Sequence, residues 1–354
     1  MMRHSFRVLG SVAFALAAVA ACGGSKDDGA SSGSSSSGGP APGVDPQAPA
    51  PVSVSFPTIK VAGGKEETEC VTLRLPNDAA LKIGSIHNVL GEGSHHLIVY
   101  RVTDTEERTT PYKCQPFADT LDATKGSPLM VTQKHDDLLQ LPPGVGFSIA
   151  AHQMIRLEMH YINPTSDERE ITAKSTMNPI AEVNFKDEAD FLFIGNPDIT
   201  IPAKSTAKLG PTFFELPEDF VGAKFFAMTG HEHQYGTNVQ IALSSAKGDP
   251  GHMIYDVPGW SWNEPKTEVF NPTVEVPSKG GFTFTCSWNN TSDQRVTFGE
   301  SANDEMCFFW AYYYPSKGAK VCFHTNRTNA AEGLDICCPD HPLCNLINSQ
   351  LSQK

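Results

Sequence analysis

Between Phe225 and Leu243, apolar residues flank the stretch Gly230-His231-Glu232-His233-Gln234-Tyr235-Gly236, and Val239, Ile241 and Leu243 alternate with polar neighbours. Alternation with a period of two specifies a half-buried strand and excludes an amphipathic helix. A strand sends residues i and i+2 to one face, so His231 and His233 can aim two imidazoles at one atom. Two imidazoles side by side make half of a transition-metal site. A lone His-x-His is equally well a pair of structural histidines. Its weight here comes from three other pieces of the chain: Ser94-His95-His96, Glu158-Met159-His160-Tyr161 and Asp304-Glu305-Met306-Cys307.

Strand-like segments recur at 70–75, 97–102, 155–161, 281–288 and 306–314, separated by turns such as Pro142-Pro143-Gly144. Long helical periodicity is absent, so the expected fold class is all-β, built of β-sandwich domains. Roughly 300 residues follow residue 51, which suits one large or two modest domains. Asn184, Lys186, Asp187, Glu188 and Asp190 interrupt the apolar pattern before Phe191 restarts it. The expected division is therefore an N-terminal domain over 52–185, a C-terminal domain over 186–325 and a Cys-containing tail over 326–354.

The first seven residues carry Arg3, His4 and Arg7, and Val8 to Ala21 is almost wholly apolar. A charged start before an apolar stretch too short to span a bilayer reads as a signal peptide, here 1–21. It ends in Val19-Ala20-Ala21-Cys22, and small residues before a Cys resemble the lipobox of bacterial lipoproteins. That predicts cleavage before Cys22 and a lipid on its thiol. Residues 22–51 are a Gly/Ser/Pro linker that cannot bury enough apolar surface to fold. The expected location is the bacterial cell envelope, on its periplasmic or cell-surface face, with the membrane engaged only through the Cys22 anchor. A formal charge of -13 argues against nucleic acid as a partner. Nine cysteines include Cys22, and an even remainder in an exported chain favours disulfides.

His95 and His96 are adjacent, so a regular strand would point them to opposite faces. To share a metal the chain must bulge there, which Gly91, Gly93 and Ser94 make easy. With His160 they would form an all-nitrogen site. The thioether of Met306 is a soft ligand that suits Cu(I) and serves zinc poorly, so His231, His233 and Met306 would form a second, copper site. Taken alone, Met306 before Phe308, Phe309 and Trp310 also reads as a core methionine. A zinc hydrolase using His231, His233 and a distant third histidine stays possible. A cupin would need a Glu shortly after His233, and Thr237, Asn238, Val239 and Gln240 supply none. No nucleophile elbow, phosphate-binding loop or dinucleotide fingerprint occurs.

Over roughly residues 66 to 325 the ordered set resembles the copper type II, ascorbate-dependent monooxygenases. It comprises Cys70 with Arg74-Leu75-Pro76, Ser94-His95-His96-Leu97, Leu141-Pro142-Pro143-Gly144-Val145-Gly146 and His160-Tyr161. His231-Glu232-His233, Cys286, Asp304-Glu305-Met306-Cys307 and Tyr313-Tyr314-Pro315 complete it. The resemblance implies two jelly-roll-like β-sandwich domains facing each other across an open cleft, with two coppers per chain bound independently. It assigns His95, His96 and His160 to an electron-transferring copper. The catalytic copper, which takes dioxygen, falls to His231, His233 and Met306. The implied reaction hydroxylates an activated C–H bond of a small molecule with O2 and a reductant such as ascorbate. The same scaffold used only for copper binding or electron handling is the alternative. The resemblance also pairs Cys286 with Cys307, and Cys70 with Cys114 is a further expectation; the pairing of Cys322, Cys337, Cys338 and Cys344 stays open.

The departures bear on substrate. The peptide-hydroxylating members carry an Arg where this chain has Thr229, Asn and Tyr where it has Phe308 and Trp310, and Gln where it has Glu158. A carboxylate needs a cation to replace lost water, and Thr229 offers none. The expectation is a small apolar or aromatic substrate, neutral or cationic, with Phe308 and Trp310 forming an aromatic wall.

Overall fold

A computed structural model describes residues 47–114, 125–299, 301–327 and 333–344. Cys22 and the expected signal peptide lie outside the described residues, as do all but the last few residues of the linker. The fold is all-β, as the alternation predicts. Among the described residues helix amounts to two single 3-10 turns, Glu182–Asn184 and Glu218–Phe220, and the single helical residue Cys344. No helix there is long and apolar enough to cross a membrane.

The earlier strands form two sheets. One runs in the order Val52–Val61, Arg169–Ile180, Leu81–Leu90, Val145–Ile149 and Asp187–Glu188, with Asp136–Gln140 also on Leu81–Leu90. The other runs Arg108–Lys113, Lys65–Arg74, Met154–Asn163, Ser94–Val102 and Gly126–Thr132. Phe56, Ile83 and Ile86 of the first sheet and Val71, Leu97 and Leu157 of the second belong to one buried core. The later strands do likewise. A six-stranded sheet runs Glu268–Glu275, Lys224–His231, Phe308–Tyr314, Asp190–Gly195, Lys320–Thr325 and Leu334–Cys338. A four-stranded sheet runs Ser205–Glu215, Gly281–Asn290, Gly236–Ser244 and His252–Asp256. Strands before Ala189 pair only with one another, and so do the strands after it.

The central strands of this six-stranded sheet are buried on both faces. Along Phe308–Tyr314, Phe308, Trp310 and Tyr312 join the core of the earlier half, while Phe309, Ala311 and Tyr313 join that of the later half. Asp190–Gly195 does the same, with Phe191 and Phe193 on one side and Leu192 and Ile194 on the other. Double-sided burial explains why Phe-Phe-Trp-Ala-Tyr-Tyr-Tyr shows no polar alternation. Each large side chain removed from water contributes about 1.5–3 kcal/mol. The Val131 N–H donates to the Tyr312 hydroxyl at 3.0 Å, fastening the two halves at a polar point within that apolar seam.

Four disulfides are present: Cys70–Cys114, Cys286–Cys307, Cys322–Cys337 and Cys338–Cys344. Cys286–Cys307 joins the four-stranded sheet to the segment leading into Phe308–Tyr314 and closes a loop with a sequence separation of 21. Closing a loop of that size restricts the unfolded chain by about 3 kcal/mol. Replacing both Cys286 and Cys307 with Ala should therefore lower unfolding stability by about 3 kcal/mol. The measurement is the denaturant midpoint, and an unmoved midpoint would show that the link contributes nothing.

Candidate metal centres

His95 and His96 lie on Ser94–Val102 and His160 on the neighbouring Met154–Asn163, with His96 paired directly to His160. The register shifts between Ser94 and His96. That irregularity lets two consecutive histidines turn toward the same partner. The three rings lie 4.8 to 5.6 Å apart by centroid, and one ligand atom from each falls within 4.8 Å of the others. All three are buried. Burial, and then the charge of His160, pushes His95 down to about 3 and His96 well below its ordinary value. These two imidazoles are held neutral, the form in which nitrogen lone pairs bind metals.

Glu66, on Lys65–Arg74, sits behind His160 at 3.1 Å from its Nε2. The hydrogen bond from His160 is the largest cause that lowers the Glu66 carboxyl to about 2, followed among lowering causes by the one from the Ala302 N–H. An ionised carboxylate only accepts, so His160 carries its proton on Nε2 and leaves Nδ1 with the lone pair. The same carboxylate accepts the Ala302 N–H at 2.8 Å and the Ser301 hydroxyl at 3.3 Å, both from the later half. Trp262, also from the later half, lays its half-buried ring 5.1 Å from that of His95.

His231 ends the strand Lys224–His231, and His233 follows two residues on with its ring 5.1 Å away and nearly perpendicular. His231 pairs with Phe308 across the antiparallel strands. Extending that register by two residues sets His233 beside Met306, which is buried. Gln133 of the earlier half presents Oε1 to His231 Nδ1 at 3.1 Å. The Asp304 carbonyl faces His233 Nδ1 at 3.3 Å. Both acceptors hold the proton on Nδ1 and leave Nε2 as the donor atom. His231 Nε2 is buried with no hydrogen-bond partner, which a metal would satisfy. Burial, followed by the charge of His233, lowers His231 well below its ordinary value. Burial also brings His233 down to about 4.

Glu305 braces this set from behind. Its carboxylate accepts N–H groups from His233 (2.8 Å), Tyr235 (2.7 Å), Trp288 Nε1 (2.9 Å) and Met306 (3.3 Å). One side chain thus joins both ligand-bearing segments. Burial nevertheless raises Glu305 to about 7. Glu232, between the two histidines, accepts the Ser287 N–H at 2.9 Å. Burial, and then the charge of Glu305, pushes it well above the carboxylate range.

The residues expected to read a substrate lie elsewhere. Phe308 and Trp310 are 6 % and 2 % exposed in the seam between the halves, so they form no open aromatic wall. Phe308 stacks on Phe193 at 4.8 Å, and Trp310 approaches His231 at 5.8 Å. Thr229 hydrogen-bonds Thr267 at 2.8 Å. Glu158 is buried, its carboxylate within 4.8 Å of the Cys70 and Cys114 sulfurs. Glu66, Gln133 and Trp262 carry no local sequence signal. Glu305 stands in the Asp304-Glu305-Met306-Cys307 motif but is not a ligand candidate there.

The described residues thus bring together three clustered imidazoles, and separately an imidazole pair with an unsatisfied nitrogen near a buried methionine. Residues 190–333 match the family described as copper type II ascorbate-dependent monooxygenase, C-terminal domain. A stretch of 117 residues is 31% identical to tyramine beta-hydroxylase of Caenorhabditis briggsae, covering 30% of this chain and 18% of that protein. A stretch of 214 residues is 26% identical to MOXD1 homolog 1 of Drosophila melanogaster, covering 56% of this chain and 30% of that protein. The chain thus spans under a third of either relative. The major capsid protein P2 of bacteriophage PM2 superposes on 76% of this chain and 100% of its own, with a TM-score of 0.34 and 10% identity, too slight a likeness to bear on function.

The depressed histidines set a pH dependence for the metal-free protein. Below the ordinary value of 6.5, the unfolded chain protonates His95, His96, His231 and His233 while the folded protein holds them neutral. The unfolded state then binds more protons, so stability present above pH 6.5 is lost as pH falls toward about 4. The slope reaches up to about 1.4 kcal/mol per pH unit for each histidine. Glu232 and Glu305, raised by burial, slope the other way in this window, so the check compares denaturant midpoints between pH 7 and 4 for the wild type and His231→Gln; identical slopes would mean that imidazole is not held neutral.

Proposed function

We propose that the protein is a two-copper monooxygenase that hydroxylates an activated C–H bond of a small molecule, using O2 and a reductant such as ascorbate. In this reading 52–185 and 186–325 are its two domains, and a lipid on Cys22 holds them at the bacterial cell envelope. The observation that carries it is the pair of unlike donor sets. Three buried imidazoles form one, and two imidazoles whose segment shares the Glu305 carboxylate with a buried Met306 form the other. Copper, when bound, would supply one-electron transfer at the first set and dioxygen activation at the second.

The chain's own contribution is to fix the donors. His95, His96 and His160 would hold the first copper, and Glu66 keeps the His160 proton on Nε2. His231, His233 and Met306 would hold the second, with Gln133 and the Asp304 carbonyl keeping the protons on Nδ1. The thioether favours the reduced metal. Burial of both sets excludes water that would compete for the ligand positions and for reactive species. No cation stands at Thr229, so a substrate carboxylate has no partner there. Tyramine, an aromatic amine named in one relative, is the first compound to test. The burial of Phe308 and Trp310 favours a second reading, copper binding without turnover on the same scaffold.

Metal analysis of the purified chain should give two coppers, and ascorbate-dependent oxygen uptake should rise with a substrate such as tyramine. Copper binding without any such uptake across a pool of small molecules would select the second reading. X-ray absorption of the reduced protein should show a Cu–S contribution that disappears in Met306→His while copper stays bound. A wild-type spectrum without sulfur would remove Met306 from the site.

A further inference from the structure

A cavity of about 650 Å³ opens between the earlier and later halves, apart from both histidine sets. Its volume lies within the range of small-molecule sites. Met130, Leu139 and Leu141 wall it from the earlier half, and Phe226, Phe270 and Tyr312 from the later half. Tyr312 stands four residues along its strand from Phe308, the partner of His231, or about 13 Å at the rise of a strand. Trp310 lies between. The cavity is therefore a separate compartment from the ligand sets.

Two features point to what it takes. Leu138 and Val269, from opposite halves, line the cavity and remain 43 % and 67 % exposed. Large apolar side chains left in water around a concave opening mark a surface that a ligand covers. Asp137 also lines the cavity. Its side chain is 15% exposed, and its ion pair with Lys134 is loose, at 3.8 Å. Burial raises its carboxyl above the usual range and Lys134 offsets that only in part, so the carboxylate is under-neutralised. Of the other polar side chains at the wall, Gln140 donates to the Gly84 and Leu141 carbonyls and Thr267 bonds Thr229, while Lys134, Asn271 and Thr273 complete the polar lining.

We propose that this cavity is a binding site for an amine with an apolar body, which lies between the two halves while its ammonium group pairs with Asp137. A cation adjacent to a partly desolvated carboxylate makes a charge-assisted hydrogen bond, about twice as strong as a neutral one. The apolar body covers the rim that Leu138 and Val269 leave in water. The site is also connected to the second ligand set. Val131 at its wall donates to Tyr312, and two residues on, Gln133 holds His231. Occupancy would thus be felt where His231 is oriented. The binding itself requires no metal and stands whether or not the copper reading does.

The test is calorimetric titration of the metal-free full chain with n-octylamine, n-octanol and octanoate. Octylamine should bind, with octanol about tenfold weaker, a difference of about 1.4 kcal/mol, and octanoate weaker still. Asp137→Asn should remove the preference for the amine over the alcohol. Val269→Trp, a change at an exposed rim position, should weaken both amine and alcohol by narrowing the mouth. Copper stoichiometry and the circular dichroism spectrum of each variant serve as folding controls. Absence of octylamine binding overturns the proposal, as does binding indifferent to both substitutions. Tighter binding of octanoate than of octylamine would make Lys134 the recognising group and overturn the ligand class.

Discussion

Double-sided burial of the strand Phe308–Tyr314 is the constraint on which the rest of the molecule depends. Its odd and even positions feed two different cores, so neither half can move against it without exposing aromatic surface. Protein interiors are close-packed, and such a strand has little freedom to slide. Met306 lies two residues before it and His231 is paired with its first residue. His231 thus takes its place from the seam, while His233 and Met306 lie on the segments that leave it. The Cys286–Cys307 disulfide secures the same entry point from the second core.

Buried carboxylates then do locally what the seam does globally. Glu305 gathers four N–H donors, three from the segments that carry His233 and Met306 and the fourth from Trp288 of Gly281–Asn290. Removing it would leave several buried donors unsatisfied, at about 1–3 kcal/mol each. Glu66 is different in kind, because it reaches across halves. It orients His160 and accepts the Ala302 N–H four residues before Met306. A single ionised side chain therefore joins the backbone near one donor set to an imidazole of the other.

The fold class and the ligand types were legible because they depend on short-range periodicity. His231 and His233 are separated by two residues, the strand period, and three segments carried the remaining histidines and the sulfur. The partners that orient the imidazoles were not legible. Glu66 lies 94 residues from His160, and Gln133 lies 98 residues from His231. Such contacts arise from how sheets of different halves meet, and no local pattern encodes that. The aromatic wall expected at Phe308 and Trp310 failed for a reason present in the sequence. An unbroken run of seven apolar and aromatic residues is the mark of a strand buried on both faces, and such a strand has no side left for an open cleft.

The electrostatics of the two sets bear on their expected independence. Burial dominates the lowering at His231, but after His233 the next causes are the charges of His95 and His160 on the other set. His95 in turn responds to His233. Positive charge at one set is therefore felt at the other, through an interior where it is poorly screened. Bringing positive charge to one set disfavours it at the other. Glu66, ionised between His160 and the Ser301–Ala302 backbone, is the negative charge that offsets that repulsion. The raised Glu305 and Glu232 offset it less, because burial holds them toward their neutral forms. The charge balance between the two histidine sets thus rests in part on Glu66, a residue of neither.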